Sequence, residues 1–202
     1  MKRRLSAGGR QEQILKGAMR IFAQKGFRGT TTREIAQRLK ISEALMFKYF
    51  PSKEALYRAI IKKRMDGSEE MYFPKEAIQS KDDRHVFRAI ASYLIKKNTE
   101  DPTFLRLILF SALEGHDLSK IYFEHYGLEK TRLLSRFIRQ RIKEKAFKKV
   151  PPLLVARAFI GMVIHYVLSQ EIYGMKNLFR FSQKKAVDTF VDAFLNGLRE
   201  NT

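Results

Sequence analysis

The chain of 202 residues has no cysteine, no tryptophan, five prolines and four histidines. Without cysteine there is no disulfide framework, no thiolate site for zinc or an iron–sulfur cluster, and no thiol nucleophile. A reducing, cytoplasmic setting is therefore the expectation. The histidines, His85, His116, His125 and His165, lack metal-ligand spacing. No Walker loop, H-E-x-x-H or G-x-S-x-G occurs, so the reading is not an enzyme, with no metal and no cofactor. Residues 1–10 are basic but no apolar stretch follows, unlike a secretory leader. The apolar run Leu153–Leu168 is short for a membrane span and is interrupted by Arg157 and His165, so no membrane partner is expected.

Acid is also scarce. There are 21 Asp and Glu against 40 Lys and Arg, a net charge of +19, which points to a polyanionic partner. Residues 1–65 hold 17 basic and 4 acidic residues, net +13, and the remainder nets only +6. The asymmetry separates a flexible basic arm (1–10) and a basic module (11–65) from a larger, more ordinary part (66–202).

What is present is helical periodicity. Ile14, Leu15, Ala18, Met19 and Phe22 share one stripe, with Gly26 expected as a left-handed C-cap. Thr31-Thr32-Arg33-Glu34 has capping-box form. A short helix then buries Ile35, Ala36 and Leu39. Ser42 caps a second short helix from Glu43 to about Tyr49, and Ser52 caps the next after Pro51. Two short helices joined by a tight turn inside the most basic third form a helix-turn-helix layout, with the second helix shaped for the major groove. The pattern loosens over 66–82. Further helices are expected over 83–97, 102–114, 118–145, 152–173 and 182–199, making the chain all-α.

The blocks Ile21-Phe22-Ala23-Gln24-Lys25-Gly26-Phe27, Thr30 to Ala36, Ile41-Ser42 and Phe47 to Leu56 together resemble the N-terminal DNA-binding domain of the TetR family of transcriptional repressors. The resemblance covers roughly residues 11–60. It implies a three-helix DNA-binding domain followed by a helical effector-binding and dimerisation domain. It also implies a dimer on a palindromic double-stranded operator, released by a small hydrophobic or aromatic effector. By position, Thr32, Arg33 and Lys53 resemble phosphate contacts, and Tyr49 lies near the backbone. Glu43, Ala44, Leu45 and Lys48 take the outward face of the recognition helix, while Met46 and Phe50 face the core. Phe47 stands where the family commonly has a tyrosine and lacks its hydroxyl. Lys40 and Ala44 stand where glycine is usual. The outward face has no Arg, Asn or Gln. It offers Glu43 to cytosine N4, Ala44 and Leu45 to thymine methyls, and Lys48 to guanine or phosphate. A nonspecific nucleic-acid-binding protein is the alternative that charge alone supports.

In the larger part, the last two apolar stretches resemble the family's dimerisation helices, with Phe159, Val163, Val167, Val187, Phe190, Val191 and Phe194 as interface candidates. Phe104, Ile108, His116, Tyr122, Tyr126, Phe159, Met162, His165, Tyr166 and Ser169 are candidates for an effector cavity, against the alternative that aromatics at helical spacing are simply core. A second basic cluster, from Arg132 to Lys149, reads as a solvated helix face, or else as a surface for DNA, acidic protein or an anionic ligand.

Overall fold

The computed structural model describes residues 6–65, 73–178 and 180–199. Among these the chain is all-α, with one isolated bridge between Phe147 and Arg199 and no strand. The helices are α1 (Ala7–Lys25), α2 (Thr32–Leu39), α3 (Glu43–Tyr49), α4 (Lys53–Met65), α5 (Lys75–Gln79) and α6 (Asp83–Glu100). They continue as α7 (Thr103–Leu113), α8 (Asp117–Tyr122), α9 (Leu128–Lys143), α10 (Pro152–Glu171) and α11 (Gln183–Leu198). Of the expected flexible arm, residues 1–5 lie outside the described set. Ala7–Arg10 instead form the first turn of α1, because Ser6 Oγ accepts the Gly9 N–H at 3.2 Å and caps it.

Packing sorts the described residues into two compact units. The first joins 6–65 to Thr103–Phe123; the second comprises 73–102 and 124–199. In the first unit, α1 lies against α2, α4 and α7. Its buried stripe of Ile14, Ala18, Ile21 and Phe22 meets Ile35 of α2, Met46 of α3, Leu56 and Tyr57 of α4, and Leu107 of α7. Each such large apolar side chain contributes roughly 1.5–3 kcal/mol by leaving water. The approach of α2 to α1 depends on Gly17, where a Cβ would stand 2.2 Å from Leu39 Cδ2.

The second unit is built around Phe87 of α6. Its ring meets Phe159 edge-on at 4.8 Å and Phe194 at 5.3 Å, with Phe137 at 6.3 Å. On the rim, Arg84 pairs with Asp192, and Arg88 pairs with Asp188 at 2.9 Å, tying α6 to α11.

The single helix expected over 118–145 is broken. A π-helical turn at Phe123–Gly127 separates α8 from α9. Gly127 is a weak helix former, and its carbonyl accepts the Thr131 hydroxyl at 2.8 Å. Gly26 also departs from expectation. Its φ of 73° is positive, but ψ is 179°, an extended conformation essentially restricted to glycine rather than the left-handed helical cap.

Candidate nucleic-acid interface

The two short helices are fixed by local chemistry. Thr31 Oγ1 accepts the Glu34 N–H at 3.1 Å and starts α2. The other half of the expected capping box is absent, because the Glu34 carboxylate turns to Lys25 at 2.7 Å and Arg38 at 3.0 Å. The hydrogen bond from Lys25, opposed by partial burial, leaves that carboxyl below its ordinary range. At the turn, Lys40 is left-handed (φ 54°, ψ 46°), at a cost of about 1 kcal/mol for a side chain with a Cβ. The Lys40 N–H donates to Gln37 and the Ile41 N–H to Ala36, closing the end of α2 as a Schellman motif. Ser42 Oγ then accepts the Leu45 N–H at 3.1 Å and starts α3.

α3 is anchored from below by Met46 and Phe50, both buried, as the sequence indicates. Its open side carries Ala44, Lys48 and Phe47, the last with 40% of its surface exposed; Leu45 and Tyr49 are partly covered. Arg33 is exposed at the start of α2. Thr32 and Glu43 touch each other, with the Thr32 hydroxyl donating to Glu43 Oε1 at 2.8 Å. That contact sets the Glu43 carboxylate across the α2–α3 angle and engages one of its two oxygens. Lys53 is occupied too. Its ammonium donates to the carbonyls of Phe27 (3.0 Å) and Thr30 (2.9 Å) and sits 4.2 Å above the Phe27 ring. Two of its three N–H groups therefore hold the α1–α2 loop, and one is not engaged by those carbonyls.

Two further residues support this surface. Glu114, at the end of α7, accepts the Phe27 N–H at 2.8 Å through Oε2 and the Arg28 N–H at 3.2 Å through Oε1. The bare backbone of Gly26 makes room for it, since a Cβ there would stand 2.2 Å from Glu114 Oε1. His116 caps α8, its Nδ1 accepting the Leu118 N–H at 3.3 Å, and packs edge-on against Phe27 (4.3 Å) and Tyr57 (5.4 Å). Tyr57 donates its hydroxyl to the Leu107 carbonyl, and burial pushes its pKa up to about 12. The Glu114 contacts span more than eighty positions of sequence, so no short motif carries them.

The effector candidates are divided between the two units. Phe104 and Ile108 are buried in the core of the first unit, with Tyr122 packed against that core and His116 at its loop. Phe159 is fully buried in the core of the second unit, and Tyr126 lies beside Lys97 and Lys130. Met162, His165, Tyr166 and Ser169 do come together, on an open groove of about 510 Å³ between α10 and α11. The interface candidates differ in burial within the single chain. Phe159, Val163, Val167, Val187 and Val191 are buried within a single chain, while Phe194 packs on Phe87 and Phe159 and stays partly exposed. A side chain already covered by its own chain offers nothing to a partner. Of that set, Phe190 alone lines the open groove, stacked edge-on against Tyr166 at 5.3 Å. Among the described residues of the second unit, the exposed large apolar side chains are Leu153, Leu154 (64% exposed), Tyr173, Leu178 and Phe181 (54% exposed). By length and composition alone α10 could cross a membrane; its Ala156, Phe159, Val163 and Val167 are packed into the second unit.

Residues 14–60 match the family model for bacterial regulatory proteins, tetR family. The chain is 38% identical over 65 residues to the HTH-type transcriptional regulator RutR of Escherichia coli strain K12, covering 32% of this chain and 31% of RutR. The chain spans less than half the length of several curated relatives it matches. Among solved structures, the TetR family transcriptional regulator PfmR of Thermus thermophilus superposes with a TM-score of 0.73 at 19% identity, covering 98% of this chain and all of PfmR. AibR, solved in complex with isovaleryl coenzyme A and operator DNA, gives a TM-score of 0.70 at 21% identity, covering 91% and 97% of the two chains.

Proposed function

We propose that the chain is a member of the TetR family of bacterial regulatory proteins, a cytoplasmic, DNA-binding transcriptional repressor that sits as a homodimer on a palindromic operator and leaves it when a small hydrophobic ligand binds. The observation that carries this reading is the closed α2–turn–α3 unit. Both helices are capped and the turn is satisfied. An outward α3 face is left holding Ala44, Phe47 and Lys48 in the most basic third of the chain. Arg33, Lys48 and the remaining Lys53 N–H would meet phosphates. Glu43 keeps one oxygen to accept from a cytosine N4 amine, next to the apolar Ala44 and Leu45, which suit thymine methyls.

The dimer reading rests on the apolar side chains that α10 and its flanks leave uncovered. A second copy on a two-fold axis would cover them and repeat the recognition helix at a fixed half-site spacing. The open α10–α11 groove falls on that face. Ligand control rests on family membership and on the likeness to AibR, a protein solved with both isovaleryl coenzyme A and operator DNA. The ligand must bind the DNA-incompetent conformer more tightly, by the same factor with which it weakens operator binding.

Selection of bound sequences from a random DNA pool tests this. The expected product is a palindrome that survives competitor DNA and changes at one position per half-site with Glu43→Ala. The net +13 of residues 1–65 favours a second reading, sequence-independent nucleic-acid binding. It predicts a steep salt dependence, no recovered motif, and no response to Glu43→Ala.

A further inference from the structure

The basic cluster on α9 has a use that the DNA-binding surface does not absorb. In the second unit, a pocket of about 620 Å³ opens between the segment 73–81 and α9, within the size range of small-molecule sites. Its walls are apolar: Phe73, Ile78, Leu133 and the buried Phe137. Its rim is cationic, and most of that charge is already committed. Arg141 is held by both oxygens of Asp83, at 2.7 and 3.1 Å, and also pairs with Glu144. Lys81 reaches Glu144 at 3.2 Å. Arg136 differs, forming no ion pair among the described residues, and its exposed guanidinium stands at the mouth of the pocket beside the Leu133 and Phe137 wall. The other carboxylate in the lining, Glu129, is seven residues earlier on α9, about 10 Å along the axis. Along α9, Arg136 lies between Glu129 and Glu144, and Lys75 also lines the pocket.

An apolar slot with an exposed guanidinium at its mouth, outside any ion pair among the described residues, suits one kind of guest. We propose that this pocket binds an amphipathic carboxylate, with its head paired bidentately to Arg136 and its hydrocarbon tail between α5 and α9. The assignment rests on the reading of the chain as ligand-controlled, and it names the ligand class. Arg136 matches a planar carboxylate in a way a lysine could not. The tail adds apolar area that leaves water on binding.

Decanoate, kept below its micellar concentration, is the probe, and isothermal titration against the full chain is the measurement. One saturable site per chain is expected. Decanol should bind at least tenfold more weakly, because it lacks the charge, and acetate should not bind measurably, because it lacks the tail. Arg136→Gln, at an exposed position, should weaken decanoate at least tenfold with unchanged helicity and melting temperature. Leu133→Glu should abolish binding by placing a carboxylate in the tail slot. Equal affinity in the wild type and Arg136→Gln, equal affinity for decanoate and decanol, or no saturable decanoate site overturns the proposal. The same titration with operator DNA present separates the two ideas. Decanoate binding that depends on Arg136 but leaves operator affinity unchanged upholds the pocket and sinks ligand control.

Discussion

Removing the Glu114 carboxylate should loosen the first unit without touching any residue proposed to face DNA. Glu114 accepts two backbone N–H groups, a part-buried one from Phe27 and an exposed one from Arg28. Hydrogen bonds to a charged acceptor contribute about 1.5–3 kcal/mol when shielded, and the exposed member less. Glu114→Ala should therefore cost about 2–3 kcal/mol in urea unfolding of the full chain, and Glu114→Gln, which keeps one acceptor, about 1 kcal/mol. Gly26→Ala offers a second handle. It puts a Cβ within 2.2 Å of Glu114 Oε1 and imposes a side chain on φ 73°, ψ 179°. The backbone strain alone costs roughly 1–3 kcal/mol. The clash additionally drives the carboxylate off the loop, so Gly26→Ala already contains much of the Glu114 loss. The double variant should then be destabilised by about 1–2 kcal/mol less than the sum of the singles. Strict additivity, or a Glu114→Ala cost below about 0.5 kcal/mol, would refute the idea that this carboxylate holds the loop.

Three further outcomes follow from other contacts. Ser42→Ala removes the cap of α3 and should cost about 1 kcal/mol, with operator affinity in a gel-shift assay falling further than stability, since α3 has only seven residues to hold its shape. Lys53→Met deletes two hydrogen bonds to loop carbonyls, so it should lower the melting temperature as well as weaken DNA binding; loss of a pure phosphate contact would weaken binding and flatten its salt slope with the melting temperature unchanged. Glu144 is held down to about 2 by the Gln140 amide, with Lys81 and Arg141 adding to it. A depressed carboxyl stabilises the fold fully above its ordinary 4.5 and loses that effect as pH falls toward 2. Urea midpoints measured down that range should drop less steeply for Glu144→Gln than for the wild type, and parallel curves would exclude the cluster as a source of acid sensitivity.

The parts of this molecule legible in the sequence are those whose cause is local. Ser42, Thr31 and Ser52 cap the helices they precede because a hydroxyl three residues from an unpaired N–H needs nothing else. Met46 and Phe50 point inward because the two faces of a short amphipathic helix are fixed by its period. Lys40 takes the left-handed turn position despite its side chain, because the closing bonds to Ala36 and Gln37 offset the strain. Where the cause is distant, periodicity misleads. Val187 and Val191 form a clean stripe, but a stripe only states that something covers it; here that is the same chain's own core. The open side of α10, from Leu153 and Leu154 onward, is the face left without cover, and nothing in its local spacing distinguishes it from the covered side. Lys53 reads as a free cation until the loop carbonyls of Phe27 and Thr30 are seen around it.

The first packing unit takes in Thr103–Phe123 as well as the N-terminal helices, and its core includes Phe104, Leu107, Ile108 and Leu118. The head is thus discontinuous in sequence. During synthesis its first four helices emerge well before the segment that finishes their core, so it cannot reach its final stability until roughly residue 123 has left the ribosome. A fragment cut after α4 would expose Tyr57 and lose the carboxylate that holds the Phe27 loop. Grafting this head onto another protein requires carrying over both segments, and recombination that trades only the first sixty-five residues would yield a head without its floor.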